Sequence, residues 1–122
     1  MIKPISNDFK GLITISGPTR SGKSKLAEFL IKDHEFVTYI ATSKRRPNDS
    51  EWLRRIDVHK NRRPAYWKLI ETPLDICSSI ESIKKNQSIL IDSLGGLVEQ
   101  YLMENDDHWK NFQSKFINCL TK

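Results

Sequence analysis

The sequence predicts an α/β domain built around a mainly parallel sheet, and three observations carry that prediction. Short apolar runs alternate with amphipathic stretches along the whole chain. A glycine-rich loop, Gly17-Pro18-Thr19-Arg20-Ser21-Gly22-Lys23-Ser24, joins the first apolar run to the first amphipathic stretch. A later run, Ser88-Ile89-Leu90-Ile91, ends on Asp92. No internal repeat, linker or low-complexity tract is present, so residues 1–122 read as one nucleotide-binding domain.

Residues 11–16, Gly-Leu-Ile-Thr-Ile-Ser, read as a buried strand before the loop, and a helix is expected from Ser24 to about Lys32. A second strand covers residues 36–41 and runs into Thr42-Ser43. Pro47-Asn48-Asp49-Ser50 is a turn and cap cluster opening a helix over about 51–60. A third strand is expected over residues 65–71. Thr72-Pro73-Leu74-Asp75 then has the form of an N-cap, a proline at the first helical position and an acid at the third, with Ile76, Ile80 and Ile83 on one side of the helix. After the strand ending at Asp92, Leu94, Leu97, Val98, Tyr101 and Leu102 mark another amphipathic stretch. Asn105-Asp106-Asp107 breaks it, and Trp109, Phe112, Phe116 and Leu120 mark a last helix.

The loop is a full match to G-x-x-x-x-G-K-[ST] in the strand-loop-helix context that its chemistry needs. Glycines at positions 17 and 22 let successive N–H groups turn inward as an anion nest at the positive end of the following helix. Lys23 is placed for β- and γ-phosphates, and the Ser24 hydroxyl for Mg²⁺. Asp92, ending a hydrophobic strand, is the candidate for the second metal-side group. The nucleotide site read from the loop therefore comprises Gly17, Pro18, Thr19, Arg20, Ser21, Gly22, Lys23 and Ser24, with ATP or GTP as substrates.

Composition narrows the partners. No apolar run reaches the roughly 18 residues of a membrane span, and residues 1–10 lack the apolar core of a signal peptide, so a cytoplasmic protein is expected. Cys77 and Cys119 form no C-x-x-C pair and read as buried, reduced thiols. The formal net charge is +5. Residues 44–63 hold that whole excess: Lys44, Arg45, Arg46, Arg54, Arg55, Lys60, Arg62 and Arg63 stand against Asp49, Glu51 and Asp57. With Trp52 its one aromatic, the tract lacks the interleaved set that stacks single-stranded bases, so small anionic ligands are favoured over nucleic acid.

His59 follows Trp52 by seven positions and Ile56 by three, which puts it on the apolar side of its helix. That placement suits a core histidine. The cations that follow it, Lys60, Arg62 and Arg63, would instead favour a neutral, nucleophilic imidazole beside a bound polyphosphate. His34 and His108 lie next to acids at element ends and read as surface residues.

The loop, the strand end Tyr39-Ile40-Ala41-Thr42-Ser43, and the block Arg55-Ile56-x-x-His59-Lys60-x-x-Arg63-Pro64-x-x-Trp67 together resemble the bifunctional adenosylcobinamide kinase and adenosylcobinamide-phosphate guanylyltransferase family of cobalamin biosynthesis. The resemblance implies a P-loop NTPase (RecA-like) three-layer fold, cytoplasmic and homo-trimeric. It also implies two reactions on a corrinoid substrate: phosphorylation of the adenosylcobinamide hydroxyl by ATP or GTP, and transfer of GMP from GTP through a histidine-GMP intermediate. By position that histidine is His59. The implied nucleotide site extends to Ala41, Thr42, Lys60, Asn61, Arg62, Arg63 and Glu71, the last suited to accept from guanine N–H groups. Val58 stands where some members have a second histidine. The family pattern continues beyond residue 122, and the strand it places between the loop strand and the Asp92 strand is absent here, so the expected fold is C-terminally incomplete, with open sheet edges. Two other readings stay open: another P-loop small-molecule kinase with a structural His59, and a truncated nucleotide-binding remnant without catalysis.

Overall fold

The computed structural model describes residues 3–6, 9–18, 21–42, 48–71, 73, 75–101 and 105–121, without the side chains of His59, Arg62 and Gln100. Its centre is a three-stranded parallel sheet of β1 (Val37–Ala41), β2 (Lys68–Glu71) and β3 (Ser88–Asp92) in the order β2-β1-β3. The described residues also form five helices: α1 (Lys23–Leu30), α2 (Ser50–Arg62), α3 (Ile76–Glu81), α4 (Leu94–Gln100) and α5 (Asp106–Thr121). The α/β class with a parallel sheet is thus the observed one.

Strand β1 is central because it is apolar on both faces, as a strand covered on two sides must be. On one face Ile40 packs with Ile70, Ile89 and Ile91 against Ile76 and Cys77 of α3, Leu97 of α4, and Phe116 and Cys119 of α5. On the other, Val37, Tyr39 and Ala41 pack with Leu90, Trp67 and Ile31, the C-cap of α1. The period-two alternation therefore builds two small cores and three layers. Register sets Ala41 opposite both Glu71 and Asp92, so the carboxyl ends of all three strands align.

The predicted strand over residues 11–16 is not formed: the segment joins no ladder, and Leu12 and Ile13 are exposed. A strand exists only through a neighbour's hydrogen bonds, and no described strand lies beside this one. Strand β2 starts at Lys68, because Pro64 to Trp67 closes as a turn, with Trp67 N–H donating to the Pro64 carbonyl at 3.1 Å. The cap of α3 is Asp75, which accepts from the amides of Cys77 and Ser78; the proposed cap Thr72 lies outside the described residues. The last two helices are separate, as expected, but Asp106 and Asp107 belong to the first turn of α5, with Asn105 Oδ1 accepting from His108 N–H at 2.9 Å.

His34, expected at the surface, is buried. Its Nε2 donates to the Ile5 carbonyl at 2.7 Å, and Nδ1 lies 2.5 Å from Ser88 Oγ, so the ring ties the N-terminal segment to β3. Flanking acids reported the solvation of its neighbours, not the direction of the ring. His108 is exposed, as expected. Cys77 and Cys119 are buried free thiols; Cys119 Sγ donates to the Cys77 carbonyl, and burial pushes the Cys77 thiol up to about 11. The apolar side expected for α2 is uncovered among the described residues, with Leu53 and Ile56 exposed. No described helix is long and apolar enough to cross a membrane.

The Asp75 carboxyl is held below its usual range, first by the Ser78 hydroxyl, then by the Ser78 amide, with Lys115 a lesser contributor. A depressed carboxyl stabilises the fold above its unfolded pKa and loses that contribution as pH falls through the folded value. Asp75→Ala is expected to lower the urea midpoint at pH 7, and the gap from wild type is expected to close as pH falls from the ordinary carboxyl range through the lowered folded value.

Candidate nucleotide site

The glycine-rich loop ends on Gly22, which caps α1 in the left-handed region at φ 86°. No side chain caps this helix, and no acid lies in its first turn, so its positive end is left for an anion. Ser21 N–H donates to the Pro18 carbonyl at 3.2 Å, closing the turn. A Cβ on Gly17 would come within 2.8 Å of Ser21 Oγ, so the serine hydroxyl would have to turn away from its present place. The loop walls a cavity of about 320 Å³ bounded by Ile15, Ser16, Gly17, Pro18, Ser21, Gly22, Lys23 and Leu26. Lys23 Nζ donates to the Pro18 carbonyl at 3.2 Å, holding the ammonium over the loop. Thr19 and Arg20 lie outside the described residues.

Across 68 positions of sequence, Ser24 Oγ donates to Asp92 Oδ2 at 3.1 Å. The structure therefore joins the first turn of α1 to the end of β3, bringing together the two residues expected from the sequence to flank a metal. Both offer hard oxygen donors, which suit Mg²⁺. Among the described residues there is no group of three or more His, Cys, Asp or Glu able to cage a metal, so these oxygens fit an ion shared with phosphates and water.

A residue that sequence reasoning did not assign to the site also reaches Asp92. Tyr39 donates its phenol hydrogen to the same Oδ2 at 2.5 Å. Burial first, then the Asp92 charge and hydrogen bond, pushes the Tyr39 phenol far up, so it remains a donor. Strand register was the missing signal: Tyr39 pairs with Leu90, so Asp92 lies on the same face two residues along, within aromatic reach. The Arg63 guanidinium sits 4.0 Å from the centre of the Tyr39 ring.

Of the remaining candidates, Ala41, Thr42 and Glu71 lie at the strand ends, and Lys60, Asn61 and His59 lie on α2. Ala41 lies between Glu71 and Asp92 in register. Thr42 is fully buried; its Oγ1 accepts from Ser93 N–H at 2.8 Å and donates to the Ser93 carbonyl at 2.6 Å, which clamps the ends of β1 and β3 together. Lys60 and Asn61 stand exposed on the last turn of α2, and Glu71 is exposed at the end of β2. His59 lies on α2, four residues before its C-cap Arg63; its side chain and that of Arg62 are outside the described residues.

A loop of this form opening a helix, with a strand-end carboxylate bonded to the helix's first-turn hydroxyl, defines an α/β protein of the P-loop class. The chain belongs to the cobinamide kinase / cobinamide phosphate guanyltransferase family, which it matches over residues 13–122. It is 42% identical over 82 residues to the bifunctional adenosylcobalamin biosynthesis protein CobP of Pseudomonas aeruginosa, covering 66% of this chain and 46% of that protein. It is 34% and 36% identical over 104 residues to the CobU proteins of the same description from Escherichia coli and Salmonella typhimurium, covering 80% of this chain and 56% of each. The chain thus spans about half the length of the curated relatives it matches. No solved structure matches it.

The clamp at Thr42 generates a test on two adjacent glycines of α4. A Cβ on Gly96 would overlap the Thr42 hydroxyl and lie 3.1 Å from the Thr42 carbonyl carbon, whereas one on Gly95 would make ordinary contact with Ser93 Oγ at 3.6 Å. Gly96→Ala is expected to destabilise by about 1–3 kcal/mol, and Gly95→Ala to be neutral or to stabilise by up to about 1 kcal/mol, read from urea unfolding.

Proposed function

We propose that this chain binds ATP or GTP at the P-loop and carries the nucleotide chemistry of adenosylcobinamide phosphorylation and guanylylation. The observation that carries the reading is the Ser24 to Asp92 hydrogen bond, 3.1 Å at the mouth of the loop. Family membership supports the substrate class. In the kinase step the cobinamide hydroxyl oxygen bonds to the γ-phosphorus, the bond to the β-γ bridging oxygen breaks, the nucleoside diphosphate leaves and the hydroxyl proton is released. The amides at the start of α1 and the Lys23 ammonium hold the β- and γ-phosphates. Ser24 and Asp92 would hold Mg²⁺, which would neutralise phosphate charge when bound.

In the transfer step a ring nitrogen of His59 attacks the α-phosphorus of GTP and pyrophosphate leaves. A phosphate oxygen of cobinamide phosphate then attacks the same phosphorus, the P–N bond breaks, and the imidazole is restored. Arg20, Lys60, Arg62 and Arg63 are the cations available to balance the pyrophosphate, and Glu71 offers an acceptor to the guanine edge. Splitting one displacement into two in this way requires a neutral imidazole with cations at hand.

The test is incubation with Mg²⁺ and GTP labelled at the α-phosphate. Acid-labile, base-stable label is expected on the wild type and none on His59→Ala, with both proteins binding GTP. Lys23→Ala is expected to lose about 10- to 100-fold in nucleotide affinity, the scale of one charged hydrogen bond. Binding without label in a folded wild-type sample would leave a nucleotide-binding P-loop domain and remove the histidine intermediate.

A further inference from the structure

Tyr39 has an odd position for a core residue. Its ring is buried at 4% exposure among Val37, Trp67, Ile31, Ala41 and Leu90, a setting that phenylalanine would fill equally well. A buried hydroxyl is unfavourable unless it is bonded, and here the acceptor is an anionic oxygen, which makes the bond a strong one. That oxygen, Asp92 Oδ2, also accepts from Ser24 Oγ. The opposite side of the site is attached to the same ring, because Arg63, the C-cap of the helix that carries His59, stacks over it at 4.0 Å.

We infer that Tyr39 is a positioning residue: its hydroxyl fixes the Asp92 carboxylate toward Ser24 and so prepares the metal side of the nucleotide site. The assignment rests on the P-loop reading proposed above. Two donors on one carboxylate oxygen, one from β1 and one from α1, restrict rotation of the carboxylate about its last torsion. Without the phenol, Asp92 keeps its charge and its bond to Ser24 but loses the brace from the sheet. The loss falls on metal-assisted binding, where the direction of the carboxylate matters, and spares contacts that the loop amides and Lys23 make to phosphate directly.

The experiment is a titration of Mg²⁺ into the protein with a fluorescent GTP analogue, beginning in EDTA, on wild type, Tyr39→Phe, Asp92→Asn and the double variant. Tyr39→Phe keeps the ring and the Arg63 contact. It is expected to raise the Mg²⁺ concentration for half-maximal enhancement of binding about tenfold, with affinity in EDTA within about twofold of wild type. On the Asp92→Asn background the same change is expected to add little, since the carboxylate it braces is gone. A Tyr39→Phe curve that overlays a normal wild-type curve, or an equal shift on the Asp92→Asn background, overturns the assignment and leaves Tyr39 a core residue. A shift in the urea midpoint without a shift in the Mg²⁺ requirement does the same. Failure of the wild type itself to bind nucleotide in a Mg²⁺-dependent way overturns the P-loop reading, and this assignment with it.

Discussion

Everything placed at the nucleotide site depends on one carboxylate oxygen. Asp92 Oδ2 accepts from Ser24 on α1 and from Tyr39 on β1, while Asp92 itself ends β3. Three elements, the last of them distant in sequence from the other two, thus meet at one acceptor. Hydrogen bonds to a carboxylate are stronger than neutral ones, and their geometry is enforced when the donors come from packed elements. The glycine-rich loop has few other attachments: the segment before it pairs with no described strand, and α1 meets β3 at this point.

The parallel sheet makes that meeting possible. In a parallel sheet the chain re-enters each strand from the same end, so all carboxyl ends collect on one edge, where ligands of α/β proteins bind. Ala41, Glu71 and Asp92 share that edge by register, and Thr42 locks it through two hydrogen bonds to Ser93. Gly96 lets α4 approach closely enough for the lock to form. The two cores act behind this edge: Ile40 anchors one face against α3, α4 and α5, and Tyr39 with Trp67 and Val37 anchors the other.

The family match covers nearly the whole chain, yet the chain spans about half of its relatives. What lies within it includes the glycine-rich loop, Ser24 bonded to Asp92, and the helix bearing His59 with Lys60 to Arg63 at its C-terminal end. Arg63 on the Tyr39 ring places the end of that helix against the strand whose tyrosine bonds Asp92.

The sequence by itself determined the α/β class, the sites of the three sheet strands to within a few residues, and the loop. Motif spacing and period-two apolar runs are local properties, and local properties are legible in one dimension. Tertiary structure decided the rest. Whether residues 11–16 become a strand depends on a neighbour to complete the ladder, and their apolar character says nothing about its presence. Whether His34 points inward depends on the Ser88 and Ile5 groups that meet it, 54 and 29 positions away. Tyr39 read as one more apolar-strand residue until parallel register set it beside Leu90 and brought Asp92 to its hydroxyl. Register is a relation between strands, fixed by how two faces pack at once, and no single stretch of sequence contains it.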